Sequence, residues 1–373
     1  MSTSTALPDL RTTASAFALY GRYVTGASHG SGHINDTYVV EFDQAGVRVR
    51  YLLQRVNHRV FKDVPGLMDN IRRVCAHAAT KAANGDGRTD SRRCLVLVPT
   101  RQGLPCHQDE AGSWWRCYLF IEGARTHDLI EHPGQAREAA RAFGAFQNLL
   151  ADLPGARLHE TIPDFHHTRR RFDTLRAAIA SDRNNRAARA RSEIAFALAQ
   201  EKLVDVLLDL QARGELPERV THNDTKLNNV MIDNATGEGL CVIDLDTVMP
   251  GLALYDFGDM VRSATNSTAE DDPDPAQVKA RLPVFEALVE GYLASAGAFL
   301  TDAERAHLAF SGRLITFEIG IRFLTDFLDG DVYFKTKRPE HNLDRARNQF
   351  ALVHSLEAQQ SVMEAFVQRQ PRP

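Results

Sequence analysis

Asp224 stands five residues before Asn229 in the stretch His222-Asn223-Asp224-Thr225-Lys226-Leu227-Asn228-Asn229. A carboxylate followed at that distance by an amide is a pattern that serves phosphoryl transfer. The acid takes the proton of an attacking hydroxyl, and the amide oxygen meets a metal ion that holds the phosphates. Asp224 is read as that base and Asn229 as a metal ligand. Lys226, two residues after the base, is in reach of a transferring phosphate, and His222 is expected to brace the loop backbone. Asp and Asn also shape ordinary turns, so the loop alone would not carry the reading. A second aspartate strengthens it. The chain returns through Leu240-Cys241-Val242-Ile243 to Asp244, an acid leaving an apolar strand and so held rigidly enough to bind magnesium. Strand alternation would place Asp246 on the same face, where it would assist the metal or its waters.

At the other end of the chain, Gly26-Ala27-Ser28-His29-Gly30-Ser31-Gly32-His33-Ile34-Asn35 precedes a strand. Small residues let backbone N–H groups approach phosphate oxygens, so Ser31, Gly32 and Asn35 are candidate nucleotide contacts. No Gly-Lys-Ser/Thr follows, which excludes a Walker loop. The strand Arg116-Cys117-Tyr118-Leu119-Phe120-Ile121-Glu122-Gly123 offers backbone groups to an adenine at Phe120, Ile121 and Glu122, although a plain core strand would read the same.

These residues need a scaffold. Thr37–Phe42 and Val47–Val56 alternate as strands around the turn Asp43-Gln44-Ala45-Gly46. A helix is expected from about Gly66 to Ala83, then strands over Cys94–Thr100 and Trp114–Ile121. Beyond Glu122-Gly123 helical periods dominate: one over Glu138–Leu150, two helices within Phe165–Leu210, and more from Pro283 onward, including Leu314–Leu328. Between them lies one hairpin, Val230-Met231-Ile232 and Leu240–Ile243. The expectation is an α+β chain: an N-terminal nucleotide-binding lobe over residues 1–122, a small antiparallel sheet with one helix. A mostly α catalytic and substrate-binding lobe over 123–373 would carry the hairpin.

Composition narrows the function. The 373 residues are 43% hydrophobic and 25% charged with a net charge of −4, which gives no general case for binding nucleic acid or an anionic membrane. The five cysteines form no Cys-x-x-Cys pair, so neither a disulfide framework nor a zinc site is expected, and a reducing cytoplasm fits. The N-terminus lacks a signal-peptide pattern, and no apolar run approaches the ~20 residues of a membrane span. The arginines between Arg169 and Arg191 have only Phe165 and Phe172 as nearby aromatics and read as a solvated helix surface; His166 and His167 read as surface or packing residues. The acidic run Glu270-Asp271-Asp272 reads as a solvated loop. No feature specifies an oligomeric state.

Taken together, these motifs resemble the aminoglycoside phosphotransferase/choline kinase superfamily, which has a protein-kinase-like bilobal fold. Within it the chain looks like the N-acetylhexosamine 1-kinase branch. The resemblance covers about Gly21 to Glu357 and rests on Gly30–Tyr38, Leu53–Asn57, His222–Asn229, Val242–Gly251, Tyr255–Asp259 and Arg322–Phe334. It implies ATP and Mg2+ as cofactors and the anomeric hydroxyl of N-acetylglucosamine or N-acetylgalactosamine as acceptor. Asp224 would be the base, Asn229 and Asp244 the magnesium ligands. His33, Arg322 and Tyr333 match positions that contact the sugar, along with Asp224 and Asp244.

The chain departs from the wider kinase pattern at one point. A Lys on the third strand, paired with a Glu on the next helix, ordinarily holds the α- and β-phosphates. Here that strand reads Leu53-Gln54-Arg55, and the helix contains no Glu and only Asp69 as an acid. Arg55, with Asp69, or alternatively Gln54, is expected to take that role. Arg322 would repel a polycationic aminoglycoside or choline, which favours a neutral sugar. It could instead be a structural residue bonded to Glu318, its i−4 neighbour.

Overall fold

Alternating apolar residues build the first sheet. Strands β1 (Arg22–Ser28), β2 (Asp36–Gln44), β3 (Val47–Val56), β4 (Leu97–Val98) and β6 (Trp114–Leu119) lie in the order β1-β2-β3-β6-β4, with β5 (His107–Gln108) also on β6. All described pairings in it are antiparallel. Tyr38, Val40, Phe42, Tyr51, Leu53, Trp115 and Cys117 form one buried face and pack with Leu10, Ala14 and Phe17 from helix α1 (Leu10–Ser15) and its C-terminal side. Because side chains alternate along a strand, Thr37, Gln54 and Arg116 turn to the opposite face. The β2–β3 turn has positive φ at Ala45 (54°) and Gly46 (92°), with the Gly46 N–H donating to Asp43 Oδ1 at 2.8 Å. Such a turn matches the strands' right-handed twist.

These coordinates come from a computed structural model that describes residues 8–30, 34–83 and 91–372. The chain divides into two units. One comprises residues 1–124, 152–162 and 240–248, the other 125–151, 163–239 and 249–373. Helix α2 (Val64–Ala83) belongs to the first and begins two residues before the expected Gly66. The strand expected over Cys94–Thr100 is only Leu97–Val98. Short strand β7 (Ala124–Arg125) marks the first boundary between units.

The second unit is helical: α3 (Pro133–Leu150), α4 (Thr168–Ser181), α5 (Arg191–Ala199), α6 (Val206–Ala212), α7 (Ala253–Thr265), α8 (Leu282–Ala296), α9 (Asp302–Ala306), α10 (Leu308–Asp329) and α11 (His341–Arg369). Between Phe165 and Leu210 there are three helices rather than the two expected. Asp182 takes a left-handed conformation (φ 32°) that stops α4, and short 3-10 turns separate the others. α3 packs on α8, and α10 packs on α4, α7 and α11. At the α3–α8 crossing a Cβ on Gly291 would lie 2.1 Å from the Arg137 carbonyl, so only glycine permits that approach. Strands β8 (Arg219–Thr221), β9 (Val230–Asp233) and β11 (Met249–Gly251) also lie in this unit, β8 pairing antiparallel with β11, while β10 (Gly239–Val242) leads into the first unit at Leu240. Among the described residues no helix is long and apolar enough to cross a membrane, and all five cysteines are buried free thiols.

Candidate active site

The second unit holds the loop after β8. Its backbone is tied to one buried side chain, Asp256 on α7. The Asp256 carboxylate accepts the His222 N–H at 2.9 Å, the Asn223 N–H at 2.7 Å and Gln147 Nε2 at 2.6 Å. Thr225 Oγ1 donates to the Asp256 carbonyl at 2.6 Å. Burial pushes the Asp256 carboxyl up from its usual range, against the pull of His222 and the N–H donors. Asn223 then turns through φ 64°, a conformation Asn tolerates better than most residues. Pairing of β8 with β11 demands a glycine beside it, since a Cβ on Gly251 would meet Thr221 Oγ1 at 2.4 Å. The buried His222 ring lies edge-on between Phe143 and Phe146, which fits a bracing residue.

So anchored, the loop brings three of the expected residues together. Asn229 Nδ2 donates to the Asp224 carbonyl at 2.8 Å and to Asp224 Oδ2 at 3.1 Å. Lys226 Nζ lies 2.9 Å from Asp224 Oδ1. Burial by itself would raise the Asp224 carboxyl, but the Lys226 ammonium, with His222 and Arg262, holds it below the usual carboxylate range. Asp224 in turn pushes the Lys226 ammonium well up. The result is an ionised carboxylate beside a fixed ammonium, with the Asn229 amide turned so that its nitrogen faces the acid. That arrangement can accept a proton from a hydroxyl and steady negative charge next to it.

Arg322, on α10, lies over the rings of Phe165 (5.0 Å), Phe334 (5.7 Å) and Tyr333 (5.8 Å). Tyr333 is exposed. The loop that presents it is folded around Asp326, whose carboxylate accepts the N–H groups of Val332 (2.9 Å), Tyr333 (2.7 Å) and Phe334 (2.9 Å) and Asn342 Nδ2 (2.8 Å). Arg186 secures the residue before them by donating to Asp331 at 2.5 Å. The alternative pairing of Arg322 with Glu318 is not formed: both Glu318 oxygens are taken by His166 and Thr168. Nor is the acidic run simply solvated, since Glu270 accepts from buried Arg262 at 2.6 Å and Asp271 meets His341 at 3.1 Å.

The first unit holds Asp244, in a left-handed conformation (φ 58°, ψ 65°) at the start of a 3-10 turn over Leu245–Thr247. The strand does not continue, so Asp246 does not share a face with Asp244 by alternation. Its carboxylate is consumed within the fold, accepting from Arg116 on one oxygen and from Asn35 Nδ2 at 2.6 Å on the other. Thr161 Oγ1 donates to the Asp246 carbonyl at 2.8 Å, and Asn70 of α2 donates to the Val248 carbonyl at 3.1 Å. Arg116 is 1% exposed and also donates to Gln54 Oε1 at 2.9 Å, its partner across the strands. Burial works against its charge, but Asp246, Tyr118 and Asp244 more than offset that and hold it protonated.

Arg116 was not singled out by the sequence reading, though a charge inside the apolar strand Trp114–Leu119 was a signal. Of the residues expected to hold the phosphates, Gln54 shares the face of Arg116 and accepts from it, whereas Arg55 and Asp69 turn elsewhere. Arg55 donates to Asp36 at 2.6 and 2.9 Å on the exposed edge, Asp69 pairs with Arg72 at 2.6 Å, and Gln54 Nε2 donates to Thr37 at 3.0 Å. Arg55 and Asp69 are therefore not brought together, because β3 alternation turns Arg55 toward its register partner Asp36. Asn35 is engaged at both ends, its oxygen accepting the Asn57 N–H at 2.9 Å. The Phe120 N–H donates to the Arg50 carbonyl at 3.1 Å, Ile121 is buried, and Glu122 pairs with Arg50, whose guanidinium lies 4.0 Å from the Phe120 ring centroid. Ser31, Gly32 and His33 lie outside the described residues.

Comparison with solved structures gives the fold its relatives. The chain is similar to an aminoglycoside phosphotransferase from Alicyclobacillus acidocaldarius subsp. acidocaldarius, at 16% identity over 98% of each chain and a TM-score of 0.55. It is similar to a choline/ethanolamine kinase family protein from Mesorhizobium loti, at 17% identity over 96% of this chain and 99% of that one, TM-score 0.52. A choline kinase from Cryptosporidium parvum Iowa II aligns at 14% identity over 92% and 91%, TM-score 0.54. At these identities the likeness establishes the α+β, protein-kinase-like fold expected from the sequence. A family model described as the phosphotransferase enzyme family matches residues 25–306, well over half of the chain. With the loop geometry above, the conclusion is that this chain belongs to the phosphotransferase enzyme family.

Proposed function

We propose that the chain is an ATP- and Mg2+-dependent kinase that phosphorylates the anomeric hydroxyl of N-acetylhexosamines. The observation that carries the phosphoryl-transfer half is the ionised Asp224 held between Lys226 and Asn229. Asp224 accepts the proton of the sugar C1 hydroxyl as its oxygen attacks the γ-phosphorus, the bond from that phosphorus to the β-phosphate oxygen breaks to release ADP, and Lys226 stabilises charge on the transferred group. Asn229 and Asp244 would hold magnesium. An amide oxygen and a carboxylate are the hard oxygen donors this ion takes. When bound, magnesium neutralises charge on the β- and γ-phosphates.

The acceptor half rests on the resemblance and on the surroundings of Arg322. Its guanidinium lies against three aromatic rings, an arrangement that offers donors to sugar hydroxyl or acetamido oxygens and apolar faces to a pyranose ring. It disfavours a polycation. Asp271 and Glu270, the acids such a substrate would seek, are occupied by His341 and Arg262. The nucleotide contacts proposed for Ser31, Gly32, Asn35, Arg55, Phe120, Ile121 and Glu122, and the sugar contacts of His33 and Tyr333, belong to the same reading.

The test is ADP release with MgATP against free N-acetylhexosamines, other free sugars, choline, ethanolamine and kanamycin. Turnover confined to N-acetylhexosamines, with a phosphorus signal coupled to the anomeric proton, supports the reading. Turnover confined to choline, ethanolamine or kanamycin would replace the acceptor, and phosphorylation at another carbon would refute the regiochemistry. No ADP with any acceptor would remove the kinase assignment.

A further inference from the structure

His166 is fully buried yet polar on both sides, and both of its contacts lead to the catalytic loop's support. Nδ1 lies 2.8 Å from Glu318 Oε1, and Nε2 lies 3.1 Å from the backbone carbonyl of Asn223, the residue before Asp224. A carbonyl only accepts, so Nε2 must carry a hydrogen. Nδ1 faces a carboxylate whose other oxygen already accepts Thr168 Oγ1 at 2.7 Å. A proton must therefore lie between ring and acid. The neighbours decide where it resides. From α10 they are Glu318 itself and Arg322; from α7, Asp259 and the Tyr255 ring at 5.2 Å; from the segment leading into α4, Phe165 at 4.7 Å; from the start of α4, Thr168; and from the loop, Asn223. Burial opposes charge on His166, but Glu318, Asp259 and the Asn223 carbonyl push its pKa up, while His166, Thr168 and Arg322 bring Glu318 down despite its burial.

We propose that His166, doubly protonated and clamped by Glu318, is a positioning residue that holds the Asn223 carbonyl and so fixes the left-handed turn that aims Asp224. The inference rests on the kinase reading of that loop. Asp256 fixes the N–H side of His222 and Asn223, and His166 fixes the carbonyl side of Asn223. With both sides held, the loop keeps φ 64° at Asn223, a geometry that costs energy unless its surroundings impose it. Since the folded pKa of His166 is raised, its contribution is complete below the ordinary histidine range and is lost as pH rises through the raised value.

The test pairs ring NMR with kinetics. In the wild-type protein, nitrogen-15 spectra of the histidine rings followed through a pH titration should show His166 keeping both ring protons to a pH above the ordinary histidine range. Glu318→Gln keeps the shape but removes the counter-charge. Its kcat with MgATP and N-acetylglucosamine should fall on the order of 10- to 100-fold, the loss expected for a reacting group displaced by about 1 Å. KM values should stay within about twofold, and the alkaline limb of kcat should move to lower pH, because burial then acts on the imidazolium unopposed by Glu318. A singly protonated His166 in the wild type would overturn the proposal, as would a folded Glu318→Gln protein with unchanged kcat and pH profile. If Glu318→Gln does not fold, the wild-type spectrum alone decides. If the wild type transfers no phosphate to any acceptor, the kinase reading fails while the spectrum still reports the proton.

Discussion

Replacing Arg116 with Met should destabilise the first unit severely, and the size of the loss follows from burial. The Arg116 and Asp246 side chains are 1% and 5% exposed, so the variant leaves a carboxylate in the interior with Asn35 as its remaining side-chain donor among the described residues. Breaking a buried pair from one side costs about 3–5 kcal/mol, far more than losing a surface ion pair. At about 2–4 °C per kcal/mol for a unit of this order of size, the unfolding midpoint should drop by roughly 6–20 °C. Removing both charges in Arg116→Met/Asp246→Leu takes away the unpaired group, and that protein should melt above either single variant. Stability and activity should then separate. The double variant restores packing but not the tie that fixes the turn bearing Asp244, so its turnover should remain at least about tenfold down. Thermal melts and ADP release on the four proteins read both quantities. A single variant melting within about 1 °C of wild type, or additive losses in the double variant, would refute the claim that this pair holds the turn.

The Lys226 ammonium keeps Asp224 below the usual carboxylate range, so activity needing its ionised form is present at neutral pH and lost as pH falls through that lowered value. Lys226→Met leaves burial to act, and the acid limb of kcat/KM should move to higher pH. Asp326→Ala deprives Val332, Tyr333 and Phe334 of their N–H acceptor; hydrogen exchange at those amides should speed up, and the acceptor KM should rise about tenfold, the equivalent of ~1.4 kcal/mol, with the ATP KM unchanged. Gly251→Ala sets a Cβ against Thr221 Oγ1. Overpacking there should cost about 1–3 kcal/mol in urea titrations and lower kcat.

What the sequence disclosed was local. The catalytic loop reads from a five-residue spacing, the sheet from alternation and the helices from their period, because each of these signals lies within one element. The supports could not be read that way. Arg116 finds Asp246 across 130 positions, His166 finds Glu318 across 152, and Asp256 caps a loop that precedes it by more than 30. His166, read as a surface or packing residue, is instead a buried polar link, and nothing in its immediate neighbours gave that away. Arg55 follows the residue that faces Arg116, and because one step along a strand changes the face, its guanidinium meets Asp36. Asp246 departs from expectation for a related reason: β10 stops at Val242 and Asp244 is left-handed, so strand alternation does not carry through to Asp246.

The central claim is that Asp224 is the base of a phosphoryl transfer, and one substitution addresses it. Asp224→Asn keeps size and hydrogen-bonding reach but removes the proton acceptor. The account predicts an unchanged melting profile, MgATP binding within a few-fold of wild type, and ADP formation with N-acetylglucosamine lower by about 10²–10⁴-fold. A folded Asp224→Asn protein that turns over within a few-fold of wild type would contradict it.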